Sequence, residues 1–316
     1  MAKIKLVISN DWVSDKQAHY LNKDGFLKAL HILREKEGWD TVFIKKSSPG
    51  YFDHAYVQFK YVENVKQGIL DEKPDVILFF GDLSRPILKE FEDSKIPIAL
   101  ALTGGTFKDY IHVPDIIFVE SQVYYDDLKG SAKKVVKAFG TNTEIFYPID
   151  VQPKIFDACF PATFASWKRH ELFAEAMGNK GLACGWFQSH EPKCFQICRE
   201  KGTALLHHQN AESVNLIYNM SRTCVVTSNK HGGSQRTVLE AMACNIPVIV
   251  MKDSDKTTEY IRDCGIGEIV DPTPGTIRDA VERLKDKKVN TREWILNNYS
   301  EKIYAEKLKE GLLSII

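Results

Sequence analysis

Short runs of β-branched and aromatic residues alternate along this chain with stretches whose apolar positions recur at helical spacing. That alternation predicts an α/β protein, in which buried parallel strands are each followed by a covering helix. In the first half the predicted strands are residues 4–9, 41–45, 75–80, 96–102, 116–120 and 135–139, with helices over 25–37, 83–93 and 121–128. The second half repeats the plan, with strands at 159–164, 182–186, 203–206, 223–227, 247–250 and 268–270 and helices at 169–177, 211–220, 237–244, 257–263 and 276–284. Two doubly wound, Rossmann-like parallel sheets are expected.

Two prolines interrupt the periodicity in Tyr147-Pro148-Ile149-Asp150-Val151-Gln152-Pro153, just before the pattern restarts. The expected division is therefore a first domain over 1–150, a second over 151–290, and a tail over 291–316. In that tail Ile295, Tyr299, Ile303 and Leu308 form an apolar stripe on a long helix. Such a helix either caps the second domain or crosses back to the first, and the crossing is the expectation carried forward.

Composition narrows the class. The 316 residues are about twice the usual domain length, enough for two sizeable cores. With 44% apolar and 27% charged residues the chain is an ordinary globular protein. Lys plus Arg and Asp plus Glu number 42 each, so no global field recruits nucleic acid or a membrane. Seven scattered cysteines in mostly apolar surroundings suit reduced thiols without disulfides. The apolar run from Ile4 to Ile8 meets Asn10 and Asp11 too soon for a secretory signal, and no run is long enough to span a bilayer. The expected location is the cytoplasm.

The chemistry concentrates after the predicted strand 223–227. There Ser228-Asn229-Lys230-His231 leads into Gly232 and Gly233, then Ser234, Gln235, Arg236 and Thr237 open a helix that carries Glu240. Two glycines let backbone approach a ligand, and a helix start presents unpaired N–H groups and the positive end of its dipole. The order builds an anion site. Glu240 lies far enough along the helix to meet a group attached to that anion, such as a ribose hydroxyl pair. A nucleotide diphosphate fits. Thr103, Gly104 and Gly105 form a second turn after a strand, at an edge where ligands of parallel sheets sit; the alternative is a plain strand-to-helix turn.

Residues 232–250, ending in Leu239-Glu240-Ala241-Met242-Ala243, resemble the signature of retaining nucleotide-sugar glycosyltransferases of the GT-B fold, family 4. Phe139-Gly140-Thr141-Asn142-Thr143-Glu144-Ile145-Phe146-Tyr147-Pro148 is similar to the family's interdomain phrase, and residues 115–121 to the strand before it. Lys168, followed by Leu172, Phe173, Glu175 and Ala176, resembles the family's phosphate-binding lysine and its helix, and Asn215 to Ser221 the helix before the signature. The sequence also departs from the pattern. Gly232 stands where the family has an acidic residue eight positions before Glu240, Thr163 where it has an arginine, and Thr103 where it often has a histidine. His231, Arg236 and Arg169 are nearby substitutes for the missing charges.

The resemblance implies sugar transfer from a nucleotide-diphosphate sugar to an unknown acceptor, with retention and without a metal ion or other cofactor. Lys168 and Arg236 are then the catalytic candidates that stabilise the leaving diphosphate. Gly232, Gly233, Ser234, Gln235, Thr237, Glu240 and His207 are the donor-binding candidates. Thr103, Gly104 and Gly105 line the acceptor side of a cleft between the domains. His207 and His208 end a strand where the family's backbone approaches the nucleotide base; a simple loop position is the alternative for both. Asp253-Ser254-Asp255 imitates a metal-binding aspartate pair but reads as a helix-capping loop. His190, Cys194 and Cys198 fall at i, i+4 and i+8, a weak zinc signal set against thiols that merely pack a helix. Two rivals stand beside the transferase: a non-catalytic nucleotide-sugar-binding relative or scaffold subunit, and a DNA-base glycosyltransferase of viral type.

Overall fold

In β1 (Lys5–Ser9) the apolar side chains alternate sides, Leu6 and Ile8 packing with Phe26 and Leu30 while Val7 packs with Ile69 and Leu88. A strand greasy on both faces must be covered on both faces, and that requirement fixes a doubly wound sheet. A computed structural model describes residues 3–9, 25–53, 56–81, 85–102, 110–187, 192–232 and 236–316. Its contacts divide the chain into two units, Met1–Gly140 with Glu301–Ile316, and Thr141–Ser300.

The first unit adds β2 (Asp40–Lys46), β3 (Gly50–Asp53), β4 (Gln58–Val62), β5 (Val76–Phe80), β6 (Ile98–Leu102), β7 (Ile116–Val119) and β8 (Val135–Lys137), in the order β3-β4-β2-β1-β5-β6-β7-β8. All neighbours run parallel except β3 with β4. One face is covered by α1 (Gly25–Glu37); the other carries residues of α2 (Val65–Asp71), α3 (Arg85–Glu90) and α4 (Gln122–Leu128). Asn64 and Ser121 cap α2 and α4 by accepting the amides three residues on.

The second unit holds β9 (Phe156–Pro161), β10 (Gly181–Cys184), β11 (Ala204–Leu206), β12 (Ser221–Val226), β13 (Val248–Met251) and β14 (Glu268–Val270), all parallel, in the order β11-β10-β9-β12-β13-β14. Its helices are α5 (His170–Met177), α6 (Lys193–Glu200), α7 (Ala211–Met220), α8 (Arg236–Ala243), α9 (Asp255–Cys264), α10 (Pro274–Leu284) and α11 (Arg292–Asn298). Asn210 caps α7, and Thr273 caps α10 with Pro274 in its first turn.

The hairpin β3–β4 and helix α2 were not expected from sequence. The hairpin lies at the sheet's edge, where Gln58 is exposed and Phe59 buried, so the apolar run that marks a central strand is missing, and α2 is a short helix of seven residues packed on the inner strands. The division falls at 140/141 instead of 150/151, because residues 141–150 bond to the second unit. There the Tyr147 and Ile149 amides donate to Asn215 and Asn219, and Arg292 donates to the carbonyls of Thr143 and Phe146. The tail is two helices instead of one. α11 stays with the second unit, where Thr291 donates to the Met242 carbonyl, and the Thr141 amide bonds the Tyr299 carbonyl at the break. α12 (Glu301–Leu313) belongs to the first unit, burying Tyr304, Leu308 and Leu312 beside α1 and pairing Lys309 with Glu37 at 2.6 Å. Among the described residues no helix is long and apolar enough to cross a membrane.

Gly311 sets how closely α12 approaches the sheet. A Cβ there would lie 2.5 Å from the Phe118 ring, closer than real Cβ contacts. Gly311→Ala is expected to destabilise the protein by about 1–3 kcal/mol in denaturant unfolding, whereas Gly130→Ala, with open space around it, is expected to change stability by less than about 1 kcal/mol. Equal effects would contradict this packing.

Candidate functional site

From β9 the chain steps outward to β10 and β11, then returns to place β12 on the other side of β9 and steps away through β13 and β14. Strand order therefore reverses between β9 and β12, and the loops leaving their carboxyl ends diverge, opening the crevice in which such sheets bind ligands. Lys168 comes from the loop after β9, at the end of a short 3-10 turn (Ser166–Lys168). Gly232, buried, comes from the loop after β12, and Arg236 and Thr237 open α8 beyond it. The reversal thus places the two catalytic candidates on segments that leave the carboxyl ends of two adjacent strands. Gly233, Ser234 and Gln235, and likewise Thr103, Gly104 and Gly105, lie outside the described residues.

The crevice floor is tightly joined. The Thr237 hydroxyl donates to the carbonyl of Pro161, the last residue of β9, at 2.7 Å, which ties the start of α8 to the neighbouring strand. Thr237 thereby enters the anion-site reading through its backbone amide. A Cβ on Gly185 would sit 1.8 Å from the Ala162 carbonyl oxygen, so only glycine lets the chain after β10 pass the chain after β9. The Thr227 hydroxyl lies 2.8 Å from the Lys168 carbonyl and 3.0 Å from that of Arg169, and the Asn229 amide donates to the Trp167 carbonyl.

Glu240 lies in the second turn of α8, about 6 Å along the axis from Arg236. It is 5% exposed and accepts the Tyr218 hydroxyl at 2.8 Å. Burial, then the Glu240 charge, raises the Tyr218 hydroxyl well above its usual range, so it stays a proton donor to the carboxylate. Glu240 stands out in the sequence through its motif, whereas Tyr218, on the amphipathic helix α7, has no local signal that marks it as the partner. Around this pair Cys224 and Cys244 are held as neutral thiols by burial, and all seven cysteines are free.

His207 follows β11, the outermost strand on that side, two strands or about 10 Å from β9. Its exposed ring packs 5.2 Å from Phe187 and 5.4 Å from Phe195. Arg169 requires a correction. Its guanidinium is engaged by both carboxylate oxygens of Asp253 at 2.8 Å and by the carbonyls of Thr227 and Ser228, so it is not a spare cation for a diphosphate. Asp253, which in sequence reads as part of a helix-capping loop, has Arg169 as its partner in space. Of the zinc signal, His190 lies outside the described residues. Cys194 and Cys198 are buried on α6, the second pushed up to about 12 by burial and donating to the His170 carbonyl. Among the described residues no group of three His, Cys, Asp or Glu side chains is placed to hold a metal.

Residues 199–301 match the family of glycosyl transferases group 1. No curated protein matches the chain in sequence. Solved structures match nearly end to end. A glycosyltransferase from Rickettsia africae is 14% identical with a TM-score of 0.76, covering 100% of this chain and 99% of its own. Sucrose-phosphate synthase from Thermosynechococcus elongatus is 14% identical with a TM-score of 0.75, covering 98% of each. HepE from Anabaena, in complex with UDP and glucose, is 10% identical with a TM-score of 0.76, covering 98% of this chain and all of its own. The fold is GT-B. The matched segment includes β12, the crevice loop, α8 and Glu240, and with the fold it supports a GT-B glycosyltransferase.

His170 follows the crevice turn directly and is fully buried, its ring stacked on Phe160 at 4.6 Å and tilted against Phe164 at 4.3 Å. Burial, then the nearby Lys168 charge, lowers it from 6.5 to about 3. An unfolded chain takes up this proton below about pH 6.5 and the folded one only near 3. The stability contributed by the neutral ring is therefore present above 6.5 and lost as pH falls toward 3. Denaturant unfolding between about pH 7 and 4.5 is expected to show a shallower acid loss for His170→Phe than for the native chain, by up to about 1.4 kcal/mol per pH unit. Parallel curves would contradict the assignment.

Proposed function

We propose that this protein transfers a sugar from a nucleotide-diphosphate sugar to an acceptor, with retention of anomeric configuration and without a metal ion. The observation that carries the reading is the strand reversal at β9/β12, which sets Lys168 on one side of a crevice and Gly232 with the start of α8 on the other, one helical turn from the buried carboxylate of Glu240. The match over 199–301 and the UDP and glucose held by HepE agree with it.

Breaking an anomeric bond leaves a diphosphate whose growing negative charge must be met. Fixed cations and backbone N–H groups meet it without reorganising. Lys168, Arg236 and the amides at the start of α8 are the groups proposed for this work, which in other transferases falls to a metal ion. Retention follows if the acceptor attacks on the face from which the diphosphate leaves, with the leaving phosphate taking its proton, so no protein carboxylate need act as nucleophile. Glu240 is proposed to accept hydrogen bonds from the ribose hydroxyls, and His207, with Phe187 beside it, to border the base. Gly232 favours a second reading, binding without transfer, because it removes an acid from the sugar side of the site.

Incubation with UDP-, GDP- and ADP-sugars in the presence of a chelator distinguishes these readings. With water taking the sugar in place of the unidentified acceptor, a transferase is expected to release one nucleoside diphosphate, unaffected by the chelator, and its turnover to fall roughly a hundredfold or more in Lys168→Ala. Native turnover in that variant would refute the lysine's role, and activity that returns only with magnesium or manganese would refute metal independence. Binding of a nucleotide sugar with no release would favour the second reading.

A further inference from the structure

Arg169 holds a left-handed backbone conformation, φ 53° and ψ 47°, at the junction of the Lys168 turn and α5. For a residue with a Cβ this costs about 1–2 kcal/mol, and the surroundings must hold it there. They do so through the side chain. Nε donates to the Thr227 carbonyl at 2.6 Å, the two terminal nitrogens to the two Asp253 oxygens at 2.8 Å each, and one of them also to the Ser228 carbonyl at 3.2 Å. One guanidinium thus joins the loops that leave β9, β12 and β13, with the geometry in which an arginine grips a carboxylate most firmly. The Thr227 hydroxyl and the Asn229 amide close the same junction from the other side, on the carbonyls of Lys168, Arg169 and Trp167. Lys168 is bracketed by these bonds in sequence and in space.

We infer that Arg169, clamped by Asp253, is a positioning residue: it fixes the Lys168 turn against the loop at 227–232 before any ligand arrives, and it acts on the diphosphate only through Lys168. This rests on the nucleotide-diphosphate reading given under Proposed function. A phosphate that took the guanidinium directly would have to displace the Asp253 carboxylate. In the clamped arrangement the bidentate pair and the bonds to the Thr227 and Ser228 carbonyls offset the backbone strain and stabilise one geometry of the crevice edge.

The test is a double-mutant cycle read by calorimetry, using whichever of UDP, GDP and ADP the native chain binds and the matching nucleoside. Asp253→Asn keeps the shape but loses the charge and one acceptor. It is expected to weaken diphosphate binding about tenfold or more, with nucleoside affinity unchanged, and to cost less than about twofold in the Lys168→Ala background. Arg169→Gly, which adopts the left-handed conformation without strain, is expected to show the same loss as Asp253→Asn. Several outcomes would overturn the inference: an equal loss from Asp253→Asn in both backgrounds, tighter diphosphate binding once Asp253 releases the guanidinium, or native affinity in Arg169→Gly. Failure of the native chain to bind any of the three diphosphates would remove the donor-site reading itself and the inference with it, a result distinct from a native binder whose cycle is additive.

Discussion

The reversal of strand order between β9 and β12 is the constraint on which the rest of the second unit depends. Parallel strands need crossover connections, and where successive crossovers run in opposite directions the loops leaving adjacent strands cannot fill the space between them. The chain answers with short, specific ties in place of packing: Thr237 to Pro161, Arg169 to Thr227, Ser228 and Asp253, and the backbone passing Ala162 at Gly185. These polar ties leave a shaped edge where an apolar filling would close it. The candidate chemistry lies on that edge because Lys168 and the start of α8 leave the carboxyl ends of the two strands between which the order reverses.

Beneath the edge lies a buried polar layer that a core built for stability alone would not contain. A carboxylate as buried as Glu240 is costly unless a donor meets it, and the Tyr218 hydroxyl from α7 does so. The same helix turns Asn215 and Asn219 toward residues 147–149, holding the segment that precedes β9. α7 therefore ties the carboxylate and the start of the second unit to one rigid element. His170, packed against two phenylalanines just behind Lys168, stays neutral at ordinary pH, so the positive charge of this turn is not spread into the core.

Much of this was legible in the sequence, for identifiable reasons. Central strands such as β5 and β13 announce themselves because burial on both faces demands continuous apolar runs. α1 and α7 match their predicted bounds of 25–37 and 211–220, since amphipathic spacing and, for α7, the capping Asn210 agree. The edge hairpin β3–β4 escaped because a half-exposed edge needs only alternation. The tail read as one helix because its stripe of Ile295, Tyr299 and Leu308 continues through the break at Tyr299–Ser300, where the backbone instead bonds Thr141. Among the candidate site residues, Glu240 and Lys168 were singled out through a local phrase in the chain. Tyr218 and Asp253 were not, because their roles exist only as partners: Asp253 lies 84 residues from Arg169, and no local pattern encodes that meeting.

The central claim is that Glu240 meets the ribose of a nucleoside diphosphate at this edge, and calorimetry with a ribose and a 2′-deoxyribose form of the bound nucleotide tests it most directly. Glu240→Gln keeps the side-chain shape but turns one acceptor into a donor. It is expected to weaken binding of the ribose form by about 1.5–3 kcal/mol and to leave the already weaker 2′-deoxy form nearly unchanged, because the partner hydroxyl is absent from it. Equal losses for the two forms would show that Glu240 serves only Tyr218 and the seat of α8, and would contradict the account.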